Sequence, residues 1–270
     1  AAGPHRVHVV VEQHVGDDAP DASSTYNNMA RHAMSANVQQ ARYPLEWAEG
    51  APVARALAMR LFPPRTDFLL WVDAHSAFST DWDEDLIGQM EGLPEQAILT
   101  TLPPQSGAYT KSTFVRVVPT EEGDPPHLEG VTAAKRPTEP LPSPFFCAAF
   151  AFARVPLPRL PVQPHCNNLC LYHSAVLLDR GYEFFIPVEC PVTQRWDLSR
   201  PSGSPHPAFI QEVVASLTDP ERVRQALGVD IATGEIVRRG VQQGLTADAA
   251  REELVCKLGG AVALGFAPDE

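Results

Sequence analysis

The chain has 270 residues, enough to bury a real core as one large domain or two small ones. Apolar residues make up 44% and charged residues 20%, which excludes disorder throughout. Acids outnumber bases 33 to 21, and a net charge of −12 is repelled by phosphate, so general nucleic-acid binding is excluded.

In chain order, Arg6 to Val11 is a β-branched run and predicts a strand. Residues 22–37 are small and polar, either loop or a weak helix. Pro52 to Leu61 has helical spacing with proline near its start, and Pro63-Pro64 ends it. Asp67 to Val72 (DFLLWV) is nearly all apolar, the pattern of a strand covered on both faces. Asp83 is placed to cap a helix running through Met90. Ala97 to Thr100 and Phe114 to Val118 are further strand candidates. Structured chain resumes at Phe145 to Ala153. A helix over Leu169–Asp179 leads into Gly181 to Pro187 (GYEFFIP). A second Pro/Ser/Gly stretch covers 200–207, and helices are predicted over Pro220–Leu227 and Thr246–Leu258. Alternating strands and helices predict an α/β fold with a largely parallel central sheet.

Proline is the compositional outlier: 27 residues, about twice ordinary usage. Because proline breaks helices and denies ladder donors, long loops are expected between elements. Residues 119–144 are rich in Pro, Glu, Thr and Gly and poor in large apolar side chains. They read as a long surface loop, or as an arm suited to wrapping a partner, since proline lowers the ordering cost. The longest strongly apolar run, Phe145–Ala153, is far short of the roughly 20 residues a membrane-spanning helix needs, so no transmembrane segment is expected.

The segment with the most chemistry is Phe68 to Asp83 (FLLWVDAHSAFSTDWD). Its apolar strand runs into Asp73-Ala74-His75, and ligand sites in open α/β sheets lie at carboxyl ends of strands. Two residues apart on a strand end, Asp73 and His75 share a side. A carboxylate and an imidazole there could hold Mn²⁺ or Mg²⁺ bridging a diphosphate. The alternative is an aspartate that caps a turn beside an exposed histidine. A second constellation is Cys166, Cys170 and His173 at i, i+4 and i+7 on one helix face. With His165 or Cys190 these could bind zinc; otherwise the cysteines serve as small apolar residues against the sheet. Five cysteines at irregular spacing do not suggest a disulfide scaffold. Arg55 could pair a phosphate or form a structural ion pair. Trp82 and Trp196 could line a sugar site, although core or rim packing accounts for them and for Trp47 and Trp71 as well.

A longer pattern joins these pieces: Gly50-Ala51-Pro52-Val53-Ala54-Arg55, then the strand ending in Asp73-Ala74-His75, then Phe78 and Trp82-Asp83. It resembles the family of Skp1 hydroxyproline and mucin-type polypeptide N-acetylglucosaminyltransferases. Ala97 to Thr100, Arg180 to Pro187 and Gly244-Leu245 fit the same pattern more weakly. The resemblance implies a GT-A fold over 1–270, an α/β architecture with a mixed central sheet flanked by helices and long Pro-rich loops. It also implies a UDP-sugar donor and Mn²⁺ or Mg²⁺, with Arg55, Asp73, His75, Trp82 and Asp83 in the donor site and Asp73 and His75 on the metal.

At three places the sequence departs from the family pattern. The chain begins after the family's first strand, which lines the uridine pocket. His165 to Leu178 carries no carboxylate where the family has Gly-Glu-Glu, a group that would orient substrate and offset developing charge. Where the family has a third metal ligand, a histidine, Val192 to Asp197 offers Gln194, and amides are weak ligands beside imidazole. The expectation is therefore a degenerate relative acting as an accessory or structural subunit among other protein subunits. The alternative is an active metal-dependent UDP-GlcNAc:polypeptide transferase acting on hydroxyproline, Ser or Thr. A processed subunit fits an organelle such as the mitochondrion; an active family enzyme fits the cytoplasm or Golgi.

Overall fold

A computed structural model describes residues 9–15, 38–44, 49–61, 65–73, 76–104, 113–118, 127–132, 137–164, 166, 169–194 and 205–233. The chain opens with β1 (Val9–Val15) and β2 (Val38–Pro44), paired in parallel. Helix α1 (Ala51–Ala58) has proline in its first turn and tightens into a 3₁₀ turn over Met59–Leu61. Next come β3 (Phe68–Val72), β4 (Ser76–Phe78), α2 (Trp82–Met90) and β5 (Ala97–Thr100). The hairpin β6 (Thr113–Val118) and β7 (His127–Thr132) precedes β8 (Leu141–Ser143) and β9 (Phe150–Arg154). The remaining described elements are α3 (Cys170–Asp179), β10 (Glu183–Ile186), β11 (Val192–Gln194), α4 (Pro207–Ser216) and α5 (Pro220–Leu227).

Among the described residues the main sheet has five strands in the order β3-β9-β5-β10-β8. It is mixed. Strand β9 runs antiparallel to both neighbours, setting Val72 against Phe150 and Thr100 against Ala151, while β5 and β10 are parallel. The largely parallel expectation is corrected here: alternation of strands and helices sets no direction for β9, which follows a hairpin rather than a crossover helix. Both faces are covered, which explains the unbroken apolar runs. On one face Leu99, Phe150, Phe152 and Phe185 pack against Leu86 and Met90 of α2. On the other, Ile98, Ala151, Ala153 and Phe184 meet Phe146 and Leu177 of α3. Residues 171–177 of α3 are all buried, because α4 and α5 close over its outer side with Val213, Val223 and Leu227. The turn from α3 into β10 needs glycine: Gly181 has φ +85°, and a Cβ there would meet Gln96 Oε1 at 2.9 Å.

Several expectations shift in detail. The first strand, expected over Arg6–Val11, is described over Val9–Val15, and residues 6–8 lie outside the described residues. The N-cap of α2 is Asp81, in the left-handed region with no side-chain cap; Asp83 is the second helical residue, and Asp83, Glu84 and Asp85 instead favour the helix dipole from the first turn. The far end of α2 is closed by Arg154, whose guanidinium donates to the carbonyls of Met90 at 2.7 Å and Pro94 at 3.2 Å. Within 119–144, where composition reads as loop, stand β7 and β8. Their ladders come from β6 and β10, partners that local composition does not reveal. The run 145–153 splits into a buried loop and β9. Strand β2 and helix α4 were not anticipated. Residues 22–37, the helix over Thr246–Leu258, Trp47, His165 and Trp196 lie outside the described residues.

Thr100 pins the loop before β9 to the sheet. Its fully buried Oγ1 accepts the Cys147 N–H at 2.8 Å and lies 3.0 Å from the Phe150 carbonyl, to which it donates. Thr100→Val keeps the shape and orphans that N–H. The expected loss is about 1–3 kcal/mol, measured by urea denaturation; an unchanged midpoint would show that the loop finds another anchor.

Candidate active site

Asp73 follows the last residue of β3, at the edge of the main sheet. Beyond it the chain leaves that sheet. Strand β4 pairs antiparallel with β11, in a register that sets Ser76 opposite Gln194. Two hydrogen bonds place β11: the Val188 N–H donates to Gln89 Oε1 at 2.7 Å, and the Gln194 N–H to the Pro104 carbonyl at 2.9 Å. The Gln194 side chain is thereby delivered to Asp73, a residue 121 positions away, and its Nε2 donates to Asp73 Oδ2 at 2.6 Å. The other oxygen, Oδ1, accepts from the guanidinium of Arg55 on α1 in an ion pair. Both groups are partly shielded, with side-chain exposures of 19% for Arg55 and 33% for Asp73.

The structure thus joins Arg55, Asp73 and Gln194. His75 lies outside the described residues. Trp82 packs on Phe78, with ring centroids 5.0 Å apart, and Phe78 stands opposite Val192 on the same two-stranded ribbon. Asp83 is 6% exposed, and its buried Oδ1 has no hydrogen-bond partner among the described residues. The buried Oε1 of Gln194 and Oγ of Ser76 likewise have none.

Cys166, Cys170 and His173 are not brought together: among the described residues no group of three His, Cys, Asp or Glu side chains could hold a metal ion. His165, a further zinc ligand the sequence offers, lies outside those residues. The His173 Nε2 is 2.8 Å from the Pro161 carbonyl, so that nitrogen donates. The partner of Cys170 is Cys147, which no spacing rule singled out. The Cys147 thiol, acting as donor toward Cys170 and helped by the Ala148 N–H and the nearby Arg55 charge, lowers the Cys170 pKa against the opposing effect of burial. Cys147, as donor and buried, is raised. Burial pushes the Cys190 thiol up to about 12.

Among the described residues both Asp73 oxygens are already engaged, and the other motif residue named for a metal, His75, lies outside them. A guanidinium already neutralises the only described carboxylate of the motif, and an amide N–H, a donor, points at its second oxygen.

The sequence matches the family model for glycosyltransferase (GlcNAc) over residues 1–203. The chain belongs to the GlcNAc glycosyltransferase family. No curated protein matches it significantly. Among solved structures it is similar to a crystal structure of GalNAc-T7 with UDP, GalNAc and Mn²⁺, at 15% identity and a TM-score of 0.50. That match covers 82% of this chain and 44% of the other, so the family chain described here spans less than half of that neighbour. The fold is GT-A: a mixed central sheet flanked by helices. Among the described residues no helix is long and apolar enough to cross a membrane.

Proposed function

We propose that this family member is a glycosyltransferase-like protein without metal-dependent transfer, serving as an accessory or structural subunit of a larger assembly. The observation carrying the reading is the state of Asp73. The side chain that the family resemblance makes a metal ligand has one oxygen against Arg55 and the other against Gln194. To bind a cation it would have to give up a charge-assisted hydrogen bond in a partly shielded site, and the residue offered as replacement ligand is an amide. The packed sheet would survive loss of the chemistry, since none of its core residues belongs to the triad.

One observation favours a second reading, the active UDP-GlcNAc:polypeptide transferase. The buried Gln194 Oε1 and Ser76 Oγ have no partner among the described residues, and a bound ligand could supply hydrogen-bond donors to them. Calorimetric titration with UDP and Mn²⁺, on wild type and Asp73→Ala, separates the two. No binding at millimolar UDP is expected. Binding in the micromolar range that disappears in Asp73→Ala would sink the degenerate reading and call for a transfer assay. The subunit role has its own check: in native electrophoresis of source extract the chain should run well above its 29.4 kDa. Migration as a free monomer would overturn it.

A further inference from the structure

The loop before β9 and the first turn of α3 are stitched together at consecutive points. The Phe146 N–H donates to Ser174 Oγ at 2.9 Å, and the Ala148 N–H points at Cys170 Sγ at 3.4 Å. Cys147 lies between these two anchors, one residue from the N–H that reaches Cys170 Sγ, and its thiol acts on that of Cys170. Thr100 holds the Cys147 backbone from the sheet side. Neither sulfur is in a disulfide. The pair differs in access: Cys170 is only partly buried, while Cys147 is 7% exposed and Cys190 is fully buried.

We propose that Cys147 and Cys170 form a dithiol–disulfide couple, closed by a low-molecular-weight disulfide of the glutathione type. The proposal does not depend on whether the chain transfers sugar. Cys170 is the attacking residue, being the more accessible of the two. A backbone N–H at its sulfur, the Arg55 charge and its place in the first turn of a ten-residue helix all favour the thiolate. The Cys170 thiolate attacks one sulfur of the oxidant, forming a mixed disulfide and releasing one thiolate. Cys147 then loses its proton to solvent and attacks Cys170 Sγ, breaking the mixed disulfide and releasing the second thiolate. Two cysteine sulfurs are oxidised, the oxidant's disulfide is reduced to two thiols, and the closed bond ties α3 to the loop before β9.

The full chain, kept native, is treated with oxidised glutathione, alkylated and digested with trypsin. The expected product links the peptide ending at Arg154 to the peptide Leu160–Arg180. That second peptide also contains Cys166, so variants assign the bond. Cys166→Ser should keep it, Cys170→Ser should abolish it, and Cys147→Ser should stop at a glutathione adduct on Cys170. Should a variant fail to fold, wild-type alkylation rates decide instead. Cys170 should react at least about tenfold faster than Cys190. A bond that survives Cys170→Ser, a lasting Cys170 adduct in wild type, or no reaction without denaturant would each overturn the proposal.

Discussion

Phe146→Ala is expected to lower stability by about 3–5 kcal/mol, the range for truncating a fully enclosed aromatic. Phe146 has no exposed surface and joins four elements. Its ring meets the edge or face of Trp71 on β3 at 5.7 Å and 78°, His173 on α3 at 6.0 Å and Phe184 on β10 at 6.2 Å. Its own loop is tied down by the Phe146 N–H to Ser174 bond. The walls of the resulting cavity are sheet and helix, each fixed by its own hydrogen bonds, so collapse can recover little of the loss. Urea denaturation of the variant measures it. Val162→Ala, at an exposed position, should stay within about 0.5 kcal/mol. A loss at Phe146 no larger than at Val162 would mean that the ring does not hold these elements together.

Acid should destabilise the protein through His173. The Nε2–H bond to the Pro161 carbonyl leaves Nδ1 bare, and that nitrogen is buried with no hydrogen-bond partner among the described residues. A proton on Nδ1 would put a charge where the ring is 4% exposed and packed against Phe146. Burial accordingly holds the pKa down to about 4 against the ordinary 6.5, with the Arg55 charge acting in the same direction and the Pro161 bond opposing. Between those values the unfolded chain binds a proton that the folded chain refuses. Stability from this group is therefore complete above about pH 6.5, falls as pH drops towards 4, and changes no further below that. The difference corresponds to about 3 kcal/mol. Unfolding free energies of wild type and His173→Gln across that window isolate the contribution from the carboxylates titrating nearby. A glutamine can keep a donor for Pro161 but cannot titrate, so the two curves should converge as pH falls. Parallel curves would refute the assignment.

Elements covered on both faces were the legible part of the fold. Strand β5 is found at its predicted bounds, Ala97–Thr100, because four consecutive buried residues leave no other register. Helix α5 is likewise found at Pro220–Leu227, between a capping Asp219 and a left-handed Gly228. What escaped was pairing. Nothing local in Phe150–Arg154 states that it separates β3 from β5, or that it runs against both. The polar β2 (VQQARYP) is a strand because β1 supplies a ladder beside it, not because of its own pattern. The candidate site divides the same way. Asp73 and Arg55 were picked out by a family-like pattern, and Gln194 by its departure from one. Their meeting needed β11 to pair with β4. Cys147 carried no signal at all, since its partner is 23 residues away and neither spacing nor motif links them.

The position of β9 has a consequence for how the chain is made. Strands β3 and β5 both lie N-terminal to it, and they do not touch each other. A ribosome that has released residues through Thr100 has therefore exposed two apolar strands with an empty lane between them. About fifty further residues must emerge before that lane is filled, the time of several seconds of synthesis. Throughout that interval each strand presents bare N–H and C=O groups to any other extended segment nearby. Newborn chains are thus most exposed to mispairing in mid-synthesis, and the hairpin β6–β7 is what forms while they wait.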